Sequence, residues 1–588
     1  YLRPAIFPRK KKQSSWIIWR QAEKLAPQLK AELEAIADNP KEIEERFYTE
    51  LEFGTAGLRG ILGAGTNRMN AQVIKRATLG LSEYVLGFAG GAERGVAIAY
   101  DSRRMSREFA LEAALTLCAK GIHAYIYDSL RPVPMLSYMV RRLKCIAGIV
   151  ITASHNPPEY NGYKVYWQDG GQAGPKQAEA IYAEIKRQDY FSGPDMTIEQ
   201  AEASGLLTWL SDADDADYYR DTLSVMQRPG LVKEQGDTLK MVYTPLHGSG
   251  NLPVQHILKL AGITNVSIVE QQREPNGDFP TVTAPNPEDP KAFTLAMELA
   301  DKVNADAIVA TDPDSDRMGL AVREKNGKFR VLTGNKIGSL LLYYILSAMK
   351  ERGAIPVDGF VAKSIVSTRL ADAICAHFGV KLRCTPTGFR FISELIEKSH
   401  TEQGFGTFIF GFEESYGFLA GGFARDKDAV CAAMLAAEAC VYYRSMGKTL
   451  SDALGEIEAL CGCYNEAVKS YTLSGKEGIE RIAGAMAALR SDTPREFAGV
   501  AVDRFEDMRS GKAMDYAAGK ETESEVTGMN AVRFLLSDGA WICVRPSGTE
   551  PKLKLYIGAN AKTDEEVEAL LNKLMADTDA KLSTLLKG

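Results

Sequence analysis

The chain has 588 residues, of which 45% are hydrophobic and 25% charged, which excludes a disordered or fibrous protein. At roughly 150 residues per domain, that length predicts about four domain-sized units. With 70 Lys+Arg against 76 Asp+Glu, the net charge of -6 argues against a general nucleic-acid surface, so any anion site must arise from local clustering.

From the N-terminus, Tyr1 to Trp19 carries Arg9, Lys10, Lys11 and Lys12 but no continuous apolar stretch. A signal peptide is not expected there, and the cytoplasm is the expected location. No apolar run approaches the ~18 residues of a membrane helix, the longest lying near Leu340 to Met349. The 9 cysteines contain no C-x-x-C pair, as expected for structural thiols in a reducing compartment rather than a disulfide framework or zinc site.

Four β-branched or aromatic runs then end in a polar, Gly/Pro-containing turn that a helical pattern is expected to follow: Gly148 to Thr152, Ala307 to Thr311, Thr407 to Gly411 and Trp541 to Val544. In open α/β sheets ligands gather beyond the carboxyl ends of strands, so these four tails are where chemistry is expected. The acidic stretch Ser211 to Asp217 reads as a solvated connection, with a boundary near residue 212. Helical spacing through Ala429 to Tyr443 and Leu450 to Leu460 precedes another break near Cys461.

The first tail presents Ser154 and His155 in a turn stiffened by Pro157 and Pro158. Its residues also suit a plain turn in which Ser and Asn satisfy backbone groups. A serine-hydrolase elbow would need glycines where Thr152 and Asn156 stand. A phosphorylated Ser154 would need a cation nearby.

The second tail, with Asp312, Asp314 and Asp316 at alternate positions, can converge on one hard ion. An EF-hand is excluded, because Arg317 stands where its glycine belongs and Arg323 where its bidentate glutamate belongs. Three carboxylates and a phosphate oxygen suit octahedral magnesium, although a structural acidic turn has the same sequence pattern.

In the third tail, an extended backbone would put Glu413 and Ser415 on one face and Glu414 on the other, ready to grip sugar hydroxyls. The paired carboxylates of a glycosidase need a wider separation across the scissile bond. The fourth tail, Arg545 to Lys552, combines cations, hydroxyls and a glycine turn suited to cradling phosphate. It is no Walker loop, and the only G-K-T, at Gly447, has Tyr442 in place of that motif's first glycine.

Taken in order, these segments resemble the α-D-phosphohexomutase family, and more closely its phosphoglucomutase branch. Further matches are Phe53 to Gly60, Thr385 to Arg390 and Ala424 to Asp428. The resemblance implies an α/β fold of four domains around a central cleft: three related mixed α/β domains and a smaller C-terminal α+β domain. The expected division is an N-terminal extension 1–44, then 45–212, 213–330, 331–460 and 461–588, carrying the serine, metal, sugar and phosphate loops in turn.

Residue by residue, the resemblance implies a phosphorylated Ser154 and Mg²⁺ held by Asp312, Asp314, Asp316 and a phosphoserine oxygen. Glu413 and Ser415 would read sugar hydroxyls, with Thr387 and Gly388 also at the substrate. Arg545, Ser547, Gly548 and Thr549 would form the distal phosphate cradle, with Lys552 beside it. Arg59, His155, Arg317 and Lys427 fall near the reacting groups, Lys427 as the candidate general acid/base.

The implied reaction interconverts α-D-glucose 1-phosphate and glucose 6-phosphate through glucose 1,6-bisphosphate. The partner is a phosphosugar, with neither nucleic acid nor membrane, and the chain would be a monomer or homodimer. A phosphopentomutase, phosphomannomutase or glucose-1,6-bisphosphate synthase would share these motifs, and a sugar-phosphate-binding protein without turnover is the non-enzymatic alternative.

Overall fold

The computed structural model describes residues 9–54, 57–473, 475–547 and 552–587. The chain clusters into two compact units, one of residues 1–332, 396–401 and 416–447, the other of residues 333–395, 402–415 and 448–588. No helix among the described residues is long and apolar enough to cross a membrane. The cysteines are free thiols, most of them buried.

The first unit holds two mixed sheets. The strands of the larger lie in the order Leu58–Ile61, Tyr160–Trp167, Ala147–Ile151, Val96–Tyr100, Ala124–Tyr127 and Leu207–Leu210. The last four are parallel, while Tyr160–Trp167 runs antiparallel to both of its neighbours. Helices cover both faces, which is why the strands read as unbroken apolar runs: Ile98, Ile149 and Ile151 enter one core, Ala97, Ala99 and Val150 the other.

The second sheet runs Phe329–Val331, Met318–Arg323, Ala307–Thr311, Met241–Thr244 and Val266–Ile268. The helix Ala429–Ser445 packs on two of its strands, Ala307–Thr311 and Met318–Arg323, and is buried nearly all round by virtue of its alanines. Asp428 caps that helix, accepting from Cys431 N at 2.9 Å, and takes the Tyr218 hydroxyl at 2.9 Å.

Burial pushes the Asp428 carboxyl up to about 6. Its ordinary value is about 4, so its folding contribution is full below that pH and is lost as the pH rises through the folded value. Asp428→Asn keeps a capping oxygen without that titration. We expect denaturant unfolding to show the variant gaining about 2 kcal/mol on the native protein between pH 4 and 7.

In the second unit, the strands Lys381–Thr385, Gly359–Ser364 and Thr407–Glu413 pair in parallel, in that spatial order. The C-terminal part is an antiparallel sheet running Cys463–Thr472, Lys552–Ala561, Trp541–Pro546, Val532–Leu536, Val500–Asp507, Lys512–Asp515 and Lys520–Glu523. Helices Gly475–Ser491 and Asp564–Lys587 close its core through residues such as Met486, Leu571 and Leu574.

Three sequence expectations change. The element after each tail is another strand rather than a helix: Tyr160–Trp167, Met318–Arg323, Gly417–Ala420 and Lys552–Ala561. In the first, second and fourth cases it pairs antiparallel with the strand before the tail, so the loop is held at both ends by one ladder. The stretch before residue 45 is no loose extension, because Trp19, Leu25 and Leu33 lie in the same core as Phe47 and the larger sheet. Nor is Ser211 to Asp217 wholly solvated: Asp215 is buried, accepting from Tyr127 Oη at 2.9 Å and Arg131 Nε at 2.8 Å.

Candidate active site

In the first unit, three loops bring their polar side chains together. Ser154 follows a fully buried strand and sits at φ 52°, its backbone N–H donating to Thr152 Oγ1 at 2.8 Å. Thr152 donates in turn to buried Asp101 at 2.6 Å. Arg103 clamps the loop from outside, its guanidinium donating to the carbonyls of Ser154, Asn156, Pro157 and Tyr160.

Gly162 lies under this loop, and a Cβ there would stand 2.5 Å from the Thr152 carbonyl and 2.7 Å from that of Leu58. Gly162→Ala is therefore expected to displace Thr152 and with it Ser154. We expect about 1–3 kcal/mol lost in denaturant unfolding, as for other overpacked sites, together with a fall in kcat.

Asp312, Asp314 and Asp316 follow the strand Ala307–Thr311 and are all buried. Gly250 lets the neighbouring loop approach them, since a Cβ would lie 2.7 Å from Thr311 Oγ1 and closer still to Ser315 Oγ. One carboxylate oxygen from each aspartate lies within 4.8 Å of the others. Ser154 Oγ donates to Asp312 at 2.8 Å and also lies 3.0 Å from His155 Nδ1.

Lys164 reaches the cluster from the strand Tyr160–Trp167, 2.9 Å from Asp314 and 3.8 Å from Asp316. Lys427 stands 3.0 Å from Asp316 and 3.1 Å from Asp426. Arg317 pairs with Glu288, and its backbone N–H donates to Asp312 at 3.1 Å. Arg59 donates to the Asn156 side chain at 3.1 Å, at the exposed rim.

Burial and the two neighbouring carboxylates hold Asp312 well above the usual carboxylate range, and burial with Asp314 raises Asp316. Burial acts upward on Asp314 too, but Lys164 and the hydrogen bond from Asp312 hold it low. Burial, Arg317 and Arg59 push His155 well below its ordinary value, so its ring is neutral.

The residues fit a divalent metal. Asp314 Oδ1 and Asp316 Oδ1 are buried with no hydrogen-bond partner among the described residues. Clustered carboxylate oxygens with unused lone pairs are the donor set of a hard cation, and Ser154 Oγ adds a further oxygen beside them.

In the second unit, Glu413 ends its strand and accepts from Gly388 N at 2.7 Å. The expected shared face with Ser415 does not form, because the backbone leaves the strand at Glu414 and reaches φ 66° at Tyr416, putting Ser415 in a turn. Glu414 accepts from Ser364 Oγ at 2.7 Å, which fastens that turn. Thr387 Oγ1 lies 3.7 Å from Met529 Sδ.

Arg545 is cross-strand from Lys554, and Ser547 N donates to Lys552 O at 2.7 Å where the fourth tail begins and ends. Gly548 and Thr549 lie outside the described residues.

Lys164 and Arg103 escaped the motif reading. A lysine within the aromatic run Tyr160 to Trp167 is a signal in itself, since lysine is almost never buried without a partner. Arg103, in Asp101-Ser102-Arg103-Arg104, carries no comparable mark, because exposed arginines in turns are common.

Four family descriptions match in order. Those of phosphoglucomutase/phosphomannomutase, alpha/beta/alpha domains I, II and III, match residues 50–191, 217–327 and 333–460, and that of its C-terminal domain matches 490–576. The chain is 35% identical over 535 residues to a phosphoglucomutase of Staphylococcus epidermidis strain RP62A, covering 90% of this chain and 95% of the relative. It is likewise 35% identical over 545 residues to a phosphoglucomutase of Staphylococcus aureus strain MRSA252, covering 92% and 95%.

Among solved structures, a phosphoglucomutase/phosphomannomutase family protein from Burkholderia thailandensis aligns with TM-score 0.64 and 19% identity, over 91% of this chain and 98% of that one. Parafusin from Paramecium, a phosphoglucomutase in its open form, gives 0.65 and 17%, over 91% and 96%. At these identities the likeness concerns the fold.

Proposed function

This chain belongs to the phosphoglucomutase/phosphomannomutase family, and on that premise we propose that it interconverts α-D-glucose 1-phosphate and glucose 6-phosphate through a phosphorylated Ser154 and glucose 1,6-bisphosphate. The observation that carries this reading is Ser154 Oγ, 2.8 Å from Asp312 in a buried three-aspartate cluster with two unpartnered oxygens. A carboxylate cluster beside a hydroxyl is of little use to a binding protein, but it is what phosphoryl transfer requires once a cation is held there.

Asp312, Asp314 and Asp316 would hold Mg²⁺, with an oxygen on Ser154 completing the set. When bound, that ion neutralises charge on the transferring phosphoryl group. The chain's own residues do the positioning. Arg103 and Thr152 fix the serine, while Arg317 and Arg59 add cationic charge at the same mouth.

In one half-reaction a sugar hydroxyl attacks phosphorus, the bond from phosphorus to Ser154 Oγ breaks, and the hydroxyl's proton is in net returned to Oγ. Neutral His155, with Nδ1 3.0 Å from Oγ, suits the serine side of that exchange. Lys427, flanked by two carboxylates at 3.0 and 3.1 Å, fits an ammonium that stabilises phosphoryl oxygens better than it fits a general base. The bisphosphate then re-enters reversed, which calls for a second anion site. Arg545 and Ser547 in the second unit, with Gly548 and Thr549, are our assignment for it, and Glu413, Ser415, Thr387 and Gly388 for the sugar.

Intact-mass and peptide analysis after incubation with glucose 1,6-bisphosphate and Mg²⁺ should place one phosphate on Ser154. Its absence, with turnover of glucose 1-phosphate intact, would sink the reading. A panel adding mannose 1-phosphate and ribose 1-phosphate should show the glucose ester preferred in kcat/KM. Arg545→Ala is expected to raise KM for glucose 1-phosphate about tenfold or more in steady-state assays, the loss of one charge-assisted contact.

A further inference from the structure

A second polar cavity lies in the first unit, at the end of the larger sheet remote from Ser154. Ser154 follows the strand Ala147–Ile151, whereas Arg94 and Lys144 precede the parallel strands Val96–Tyr100 and Ala147–Ile151, and Asp169 follows the antiparallel one. The cavity measures about 620 Å³, room enough for a small metabolite.

Its lining carries four cations, Arg94, Arg141, Lys144 and Arg425, against two carboxylates, Asp169 and Glu397. Glu397 is already engaged by Arg425, through Nε at 3.2 Å and Nη2 at 3.1 Å. Asp169 accepts from Gly171 N at 3.1 Å, and burial pushes its carboxyl up, which weakens it as a counter-charge. Arg94 is tied to the carbonyls of Lys144 and Cys145 and to Gln168 at 2.9 to 3.2 Å, which braces the turn that presents Lys144.

Two cations are left uncompensated. Arg141 uses only Nη1, on the carbonyls of Phe423 and Gly422, and its Nε and Nη2 make no hydrogen bond among the described residues. Lys144, exposed at φ 55°, has no ion pair among them. Arg141 and Arg425 also share the Gly422 carbonyl, which sets two guanidinium groups side by side. Burial and Arg141 push Arg425 down to about 10, the mark of positive charge without enough compensation.

We propose that this cavity binds a phosphate-ester dianion, separately from the site around Ser154, with Arg141 and Lys144 as its direct ligands. A guanidinium fork with two unused edges matches phosphate geometry, and a nearby ammonium adds a point charge. The site does not depend on the catalytic assignment above. It does share a loop with it: Arg425 lines the cavity, Asp426 takes the Tyr166 hydroxyl at 2.7 Å, and Lys427 meets Asp316.

The test is calorimetric titration of the full chain with inorganic pyrophosphate, without divalent metal, on the native protein and on Arg545→Ala, Arg141→Gln and Lys144→Asn. We expect a binding component that Arg545→Ala leaves intact and that each cavity variant weakens at least tenfold, with their basal mutase kinetics unchanged. Lys144→Asn removes one exposed charge, and asparagine suits a left-handed backbone, so it decides the matter even if Arg141→Gln fails to fold. Identical isotherms for the native protein and folded Lys144→Asn would overturn the proposal. Displacement of pyrophosphate from that component by adenosine diphosphate identifies a nucleotide ligand, and displacement by glucose 6-phosphate a sugar phosphate. Displacement by neither overturns the ester assignment.

Discussion

Ser154→Ala is expected to lower kcat for glucose 1-phosphate by about a millionfold, the scale seen when a nucleophilic serine is removed, while leaving binding of glucose 6-phosphate within a fewfold of native. The fold should tolerate the change. The loop is held by Arg103 through carbonyl oxygens and by the Ser154 N–H on Thr152, and neither contact uses the serine hydroxyl. The one bond lost is that from Oγ to Asp312. A coupled assay for glucose 6-phosphate, with calorimetry of the same sample, separates catalysis from binding. Turnover retained within tenfold would mean that another group carries the phosphoryl, and the mechanism would fall.

The second large effect is expected from Lys164→Met, and it is one of stability before it is one of rate. The Lys164 side chain is 8% exposed and that of Asp314 fully buried, so their pair is a buried one. Removing one partner from such a pair costs about 3–5 kcal/mol, because the remaining charge has no compensation. In Lys164→Met, only Lys427 and Arg317 would remain near three carboxylates.

A divalent cation supplies what the lysine did. Denaturant unfolding in chelator should therefore show the variant less stable by about 3 kcal/mol, and excess Mg²⁺ should restore much of the difference. Equal losses with and without Mg²⁺ would show that the lysine and the metal do not share the same carboxylates.

How much of this is legible in the residues depends on whether a signal is local. The aspartates declare themselves because alternate spacing after an apolar strand is a pattern within five residues. Ser154 is similar, a hydroxyl on a turn that prolines stiffen. The strand Tyr160–Trp167 is misjudged because its pairing with Leu58–Ile61 and Ala147–Ile151 is a matter of register between distant segments, and a run buried on both faces has no alternation to show. Trp19 and Leu33 look like surface-helix residues until Phe47 and the larger sheet supply the surface that covers them. At Glu413 the sequence cannot show that the strand stops, since that depends on Tyr416 entering a left-handed conformation.

The clamp made by Arg103 has a consequence for how this chain can change. It grips four main-chain oxygens, at Ser154, Asn156, Pro157 and Tyr160, and an oxygen of that kind is present whatever side chain a residue bears. The segment can therefore exchange side chains at several of its positions and still deliver the same serine to the same point. Variation tolerated along the loop is bought by fragility elsewhere: one arginine, on a loop after a different strand, is where a single substitution undoes the whole arrangement.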